Sequence, residues 1–380
     1  MDGQDALSRA FRGYRHGCPR RRLLPPLLSR ALSAVTAALS VAAARRETRI
    51  LWALAAVLVL TTVASLGVGR FDIPPGRVVR VLLSPWLAPA EPVSPIEWSV
   101  VVVVRLPRVA MAVLAGAGLA LAGASLQGLF RNPLVGPQVV GVSSGAAFGG
   151  TLAILFGWQH LGLVGAAFAF GLSALVLVWL FASVVSRSNI LVLVLAGVVV
   201  SGFFGALVSL VQFTADSQDK LPVIVFWLLG SFATADAGRA ALLAGPVLPC
   251  AAALLALRWR INILSMGDED ARALGVPVAG LRWLLLVLTA MIVSAQVAVS
   301  GMIGWVGLVV PHLARMLVGA DHRVLLPASA LLGGSFLLLV DNAARSMSAS
   351  EIPLGILTAL IGTPMFAALL WRTRERWMDG

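Results

Sequence analysis

Charge is scarce in this chain. Asp, Glu, Lys and Arg make up 12% of its 380 residues, about half the share of a soluble domain. Lysine occurs once, at Lys220, and tyrosine once, at Tyr14. The two cysteines, Cys18 and Cys250, are too far apart to suggest a disulfide framework or a metal-ligand spacing. His16, His160, His312 and His322 are equally scattered, so no metal site is expected. A phosphate-binding P-loop needs Gly-Lys-Ser/Thr, and Lys220 follows Asp219. If the protein works against a gradient, nucleotide hydrolysis therefore has to come from another chain. The H-E-x-x-H, G-x-S-x-G and paired-aspartate patterns of hydrolases are also missing, so no enzymatic activity is expected.

Apolar length is what the chain has in abundance. Hydrophobic residues form 59% of it and the mean hydropathy is +0.93. Runs of about 20 apolar residues recur, the length that crosses about 30 Å of hydrocarbon as a helix. Stretches such as "LSALVLVWLFASVV" (172–185) do not alternate with polar residues, which excludes a membrane β-barrel. The expected fold is all-α and polytopic. Ten spans are predicted, over 50–69, 105–128, 137–157, 162–185, 190–212, 240–257, 283–302, 304–317 (short), 324–344 and 354–371.

A net charge of +12 raises the question of nucleic acid. The arginines, however, lie in tails and loops between apolar runs, where they set membrane orientation. With both termini inside, the inner segments carry 21 arginines and the outer ones seven plus Lys220. Both termini are thus expected in the cytoplasm. Residues 1–49 read as an Arg-rich cytoplasmic tail, 50–372 as the transmembrane domain and 373–380 as a short cytoplasmic end. "ALSAVTAALSVAAA" (31–44) resembles a signal peptide, but Pro25, Pro26 and Arg30 interrupt its approach, which favours a tail.

Small residues recur every four positions at Ala112, Gly116, Ala120, Ala124 and Gly128, and again at Gly141, Gly145, Gly149, Ala153 and Gly157. Such ridges let helices approach closely in lipid, where association has no hydrophobic drive. Charge at mid-bilayer, the usual mark of a secondary carrier, is almost absent. Asp341 and Arg345, four apart, are placed to pair near a span end. A stand-alone secondary transporter or channel is accordingly disfavoured.

One polar stretch interrupts the apolar pattern, "SMGDEDARALGVP" (265–277). Asp268, Glu269 and Asp270 suit the first turn of a helix, where acids complement the dipole. Ala271, Arg272, Ala273 and Leu274 continue it, and Gly275 and Pro277 end it. A helix of two turns does not stand alone in water, so it needs a surface to dock on, the alternative being a solvated loop with a chance acidic run.

The segment "RLPRVAMAVLAGAGLALAGASLQGLFRNPLVGPQVVGVSSGAAFG" (105–149) resembles the signature of FecCD-type permeases. "LAGVVVS" (195–201), "FWLLGSF" (226–232), "GMIGWVGLVVPHLARMLVGADHRVLLPASALLGG" (301–334) and "EIPLGILTALIGTPMFAALL" (351–370) follow in family order. The resemblance covers about residues 50–372. The Arg-rich N-terminal tail departs from the family pattern.

This resemblance implies the type II ABC-importer permease fold, with ten transmembrane helices per subunit. The implied partners are a second permease subunit (identical or not), a cytoplasmic ATPase dimer and an extracytoplasmic substrate-binding protein. ATP and Mg would be used by the ATPase, with no cofactor held by this chain. Asp268, Glu269, Asp270, Ala271, Arg272, Leu274 and Gly275 are implied at the ATPase contact. Arg105, Arg108 and Arg345 are implied as docking cations for the binding protein, with Glu351 beside them. Ser188 and Asn189 are candidates for an inner gate, an ordinary turn being the alternative. The implied cargo is an iron–siderophore complex, with cobalamin and haem as alternatives, and the implied location is the bacterial cell membrane.

Overall fold

The computed structural model describes residues 26–69, 71–86, 93–185, 189–348 and 350–373, with side chains described from residue 45 except at 369, 370, 372 and 373. Two compact units divide it, Met1–Arg49 and Ile50–Gly380. The described part of the first is helical from residue 26.

Helices account for all the regular structure among the described residues. They are α1 (Pro26–Gly67), α2 (Pro75–Leu83), α3 (Pro95–Phe130), α4 (Val142–Leu155), α5 (Leu161–Val185), α6 (Ile190–Thr214) and α7 (Lys220–Leu228). The rest are α8 (Ala237–Ala256), α9 (Arg258–Leu264), α10 (Asp268–Ala273), α11 (Val278–Ser300), α12 (Val306–Val318), α13 (His322–Ser346) and α14 (Leu354–Thr373). Seven segments are long and apolar enough to cross a membrane, beginning with Arg45–Gly67 of α1. Three shorter apolar helices, Val142–Leu155, Val306–Val318 and Leu354–Ala368, occupy the other expected spans. The protein is a multi-pass helical membrane protein.

Local chemistry sets the helix ends. The side chains of Asn189, Asp236 and Asp321 accept backbone N–H bonds from Leu191, Arg239 and Arg323, capping α6, α8 and α13. Gly301, at φ +70, ends α11. Inside α3, Ser99–Arg105 is π-helical, the wider turn that breaks the regular ladder before Arg105 and Arg108.

Burial separates a central layer from an outer one. In α3, α11 and α13 the apolar windows are 78%, 72% and 61% buried, against 28% or less in the other long spans. The seam between α3 and α13 is closest at Gly116 and Gly333. A Cβ on Gly116 would lie 2.2 Å from the Gly333 carbonyl oxygen, and one on Gly333 2.4 Å from that of Gly116 and 2.5 Å from the Ala120 Cβ. Gly145 and Gly149 play the same part between α4 and α5, facing the carbonyls of Phe170 and Ala166. Small residues here permit dispersion contact between backbones.

The second ridge needs correction. The expected span 137–157 is a helix only over Val142–Leu155, preceded by a 3-10 turn, Pro137–Val140. Gly141 joins them at φ +82 and Gly157 lies beyond the helix at φ +74. Both are left-handed positions that disfavour a side chain, so Gly141 shapes a turn as well as allowing close approach.

Candidate functional site

The acidic loop forms one end of the bundle. Gly267, at φ +148, turns the chain out of α9, and Asp268, Glu269 and Asp270 occupy the first turn of α10. The helix stops as a Schellman motif. The Val276 N–H donates to the Ala271 carbonyl at 2.9 Å and the Gly275 N–H to that of Arg272 at 2.9 Å, with Gly275 at φ +76.

The three acids have different surroundings. Asp268 turns inward, where its Oδ2 accepts from Arg282 Nη2 at 2.9 Å. The Arg282 side chain is only 3% exposed. Arg272 lies 3.8 Å from the same oxygen. Ala271 is fully buried under the helix. Glu269, Asp270, Arg272, Leu274 and Gly275 face outward. Leu274 and neighbouring Met266 are 58% and 64% exposed. The outer face of α10 is thus acidic with an apolar edge, and its inner face is bolted to the first turn of α11.

The same end is tied to the central helices. Asn262 of α9 accepts the His322 N–H through its Oδ1 at 2.9 Å, at the start of α13. Asp321 caps that helix, and the Arg323 guanidinium bonded to it holds its carboxyl below the usual carboxylate range. Arg131, at the end of α3, reaches towards Gly267.

At the opposite end of α3 and α13 lies a compact ionic cluster. Arg108 donates from Nε and Nη2 to Asp341 Oδ1 at 3.0 and 2.9 Å. Its Nη1 and Nη2 also donate to Glu351 Oε1 and Oε2 at 2.8 and 2.9 Å. Two carboxylate forks thus share one guanidinium, the geometry that suits arginine and not lysine. Arg345 approaches Asp341 to 3.3 Å, the expected pairing across one turn, and Asp341 is fully buried. Arg105 is also buried. Its Nη1 donates to the carbonyls of Leu66 and Gly67, each at 2.8 Å, and its Nη2 to that of Phe71 at 2.6 Å. These include orphan acceptors at the end of α1.

The three arginines implied as docking cations, Arg105, Arg108 and Arg345, are thus already engaged within the chain. Arg105 closes the end of α1, and the side chains of Arg108 and Arg345 are 10% and 9% exposed within the cluster. The most accessible acid there is Glu351, with 30% of its side chain exposed. Asn189 caps α6, while Ser188 lies outside the described residues. Arg282 went unnoticed in the sequence, although an arginine just inside an apolar helix signals a buried partner.

Residues 57–372 match the FecCD transport family. A molybdate import system permease protein, MolB, of Haemophilus influenzae is 49% identical over 331 residues, covering 87% of this chain and 98% of that protein. A cobalamin import system permease protein, BtuC, of Halobacterium salinarum is 43% identical over 273 residues, 72% of this chain and 73% of that one. A solved structure described as a metal-chelate type ABC transporter in an inward-facing conformation superposes with a TM-score of 0.78 at 49% identity, covering 86% of this chain and 99% of the other. The fold and these likenesses define an importer permease of the ABC class. The chain belongs to the FecCD transport family. Its relatives are permease subunits, with the ATPase a separate subunit.

Proposed function

We propose that this chain forms the membrane path of an importer for a small tetrahedral oxyanion of the molybdate type. The ATPase docks on the face Glu269–Gly275, and the binding protein docks at the Arg108–Arg345 end. The observation that carries the ATPase contact is the division of labour within α10. Asp268 and Ala271 fix the helix to the bundle, while Glu269, Asp270, Arg272 and Leu274 stand free of it. A six-residue helix held from one side and exposed on the other is built to meet a partner.

The positions of the arginines support an orientation with both termini in the cytoplasm of a bacterial cell. ATP and Mg belong to the partner ATPase and no cofactor to this chain. At the other end, a partner carboxylate gains access to Arg108 by taking the place of Glu351.

Likeness over nearly the full length of a molybdate permease supports the oxyanion as cargo. An iron–siderophore complex is the second reading, favoured by the metal-chelate type of the structural neighbour. Reconstitution with the ATPase and binding protein in vesicles distinguishes them. ATP-dependent uptake of radiolabelled molybdate is expected. Uptake of a ferric siderophore with no molybdate uptake would replace the first reading by the second, and transport by this chain without an ATPase would overturn both.

A further inference from the structure

A partly open cavity of about 250 Å³ lies beside α3, lined among others by Gln138, Ser143, Gly304, Trp305 and Gly307. Leu119 of α3 forms part of its wall. At 1.5 Å per residue, Leu119 lies roughly 16 Å along α3 from Arg108 and the same from Phe130. The cavity is therefore halfway between the ionic cluster and the acidic-loop end. It contains no acidic or basic side chain.

Two helices begin at this cavity. α4 starts after Gly141 and α12 after Trp305, and neither has a side-chain cap. The Gly141 carbonyl bonds to Gly145, the first intrahelical bond of α4, so the N–H groups of Val142, Ser143 and Ser144 have no partner within the helix. At the start of α12 the Val306 and Leu308 N–H groups already donate to the Gly304 and Trp305 carbonyls at 2.8 and 3.0 Å, so the open donors and the positive dipole end at the cavity are those of α4. An independent observation also points to a ligand. Ser143 is only 8% exposed, lines the cavity and has no hydrogen-bond partner among the described residues. Gln138, an exposed residue, also lines the cavity, and its Nε2 lies 2.9 Å from where a Cβ on Gly304 would be. Trp305 is held at φ +67, a conformation costly for a bulky residue and characteristic of functional positions.

We infer that this cavity is a transit subsite for a tetrahedral oxyanion, held by the Ser143 hydroxyl, the Gln138 amide and the uncapped N–H groups at the start of α4. The inference rests on the oxyanion reading of the cargo and locates where that cargo pauses. Donors without a fixed cation suit a pathway, since a buried arginine would hold the anion too firmly to release it. Broken helices that aim their N-termini at an anionic group are a general solution at mid-membrane. A cavity of this volume has room for a five-atom oxyanion.

The test uses the whole importer, with its ATPase and binding protein, in vesicles loaded with ATP. Gln138→Glu places a negative charge beside the anion and is expected to reduce radiolabelled molybdate uptake roughly tenfold or more. Neutral Gln138→Met and Ser143→Ala should each reduce it severalfold, and Ser143→Thr, which keeps the hydroxyl, should restore most of it. Gln159→Glu, the same charge change in an exposed loop, is the control and should stay within about twofold. If Gln138→Glu does not assemble, the neutral pair decides. Uptake by Gln138→Met and Ser143→Ala equal to wild type would overturn the subsite while leaving the oxyanion reading intact. No molybdate uptake by wild type would overturn both.

Discussion

Asp268→Asn offers the sharpest test of the loop, because it alters one oxygen and almost no volume. The Arg282 side chain it faces is 3% exposed, while that of Asp268 is 21% exposed. Removing one partner of a buried pair costs about 3–5 kcal/mol, chiefly through the charge left behind. Asp268 retains some water and Arg282 has a further interaction, so the low end, about 3 kcal/mol, applies. At about 1.4 kcal/mol per decade, this raises the population with α10 undocked roughly a hundredfold. Six residues of helix have no stability of their own, so the loss should remain local. The assay is amide hydrogen exchange at Gly275 and Val276, whose N–H groups close the Schellman turn. Their exchange should accelerate about a hundredfold, with that of α3 and α13 unchanged. Replacing both partners, in Asp268→Asn with Arg282→Leu, should recover most of the protection. Exchange at Val276 within about threefold of wild type in the single variant would refute the strut.

Charge reversal on the outer face should act differently. Glu269→Lys with Asp270→Lys is expected to leave folding within about 0.5 kcal/mol, as both are exposed. It should nevertheless reduce ATP-coupled uptake about tenfold, measured in vesicles with the ATPase present. Gly116→Ala should destabilise the bundle by roughly 1–3 kcal/mol, read as a lower Tm in detergent, because its Cβ would sit 2.2 Å from the Gly333 oxygen. Glu351→Gln should increase association of the binding protein severalfold at low salt, measured by surface-immobilised kinetics, by weakening the internal competitor for Arg108.

Much of this arrangement was legible in the sequence. Apolar length located the spans, and the acids with Gly275 marked both ends of α10. What eluded the sequence lies in contacts between distant residues. Asp268 and Glu269 are chemically alike and adjacent, but one residue on a helix is a rotation of about 100°, and only the fold reveals which points at Arg282. Arg108 meets Asp341 across 233 positions, so the i, i+4 spacing identified Arg345 and missed the stronger partner. Arg105 resembled an outward cation because the carbonyls it closes belong to the preceding helix. Gly141 fitted a four-residue ridge by spacing, while its backbone angle shows that a turn interrupts the ridge. Hydropathy averages across such a turn, which is why the shortness of α4 was invisible.

The meeting of Gly116 and Gly333 also restricts how the protein can move. Each glycine has the other's carbonyl where its own side chain would be. A slide of about one turn, 5.4 Å, would bring the Cβ of Ala112 or Ala120 into that space. α3 and α13 therefore resist a one-turn ratchet past one another and form a single keel running from the acidic-loop end to the ionic cluster. A push received at one end must reach the other without being absorbed between them, and any opening of the path has to come from seams elsewhere in the molecule.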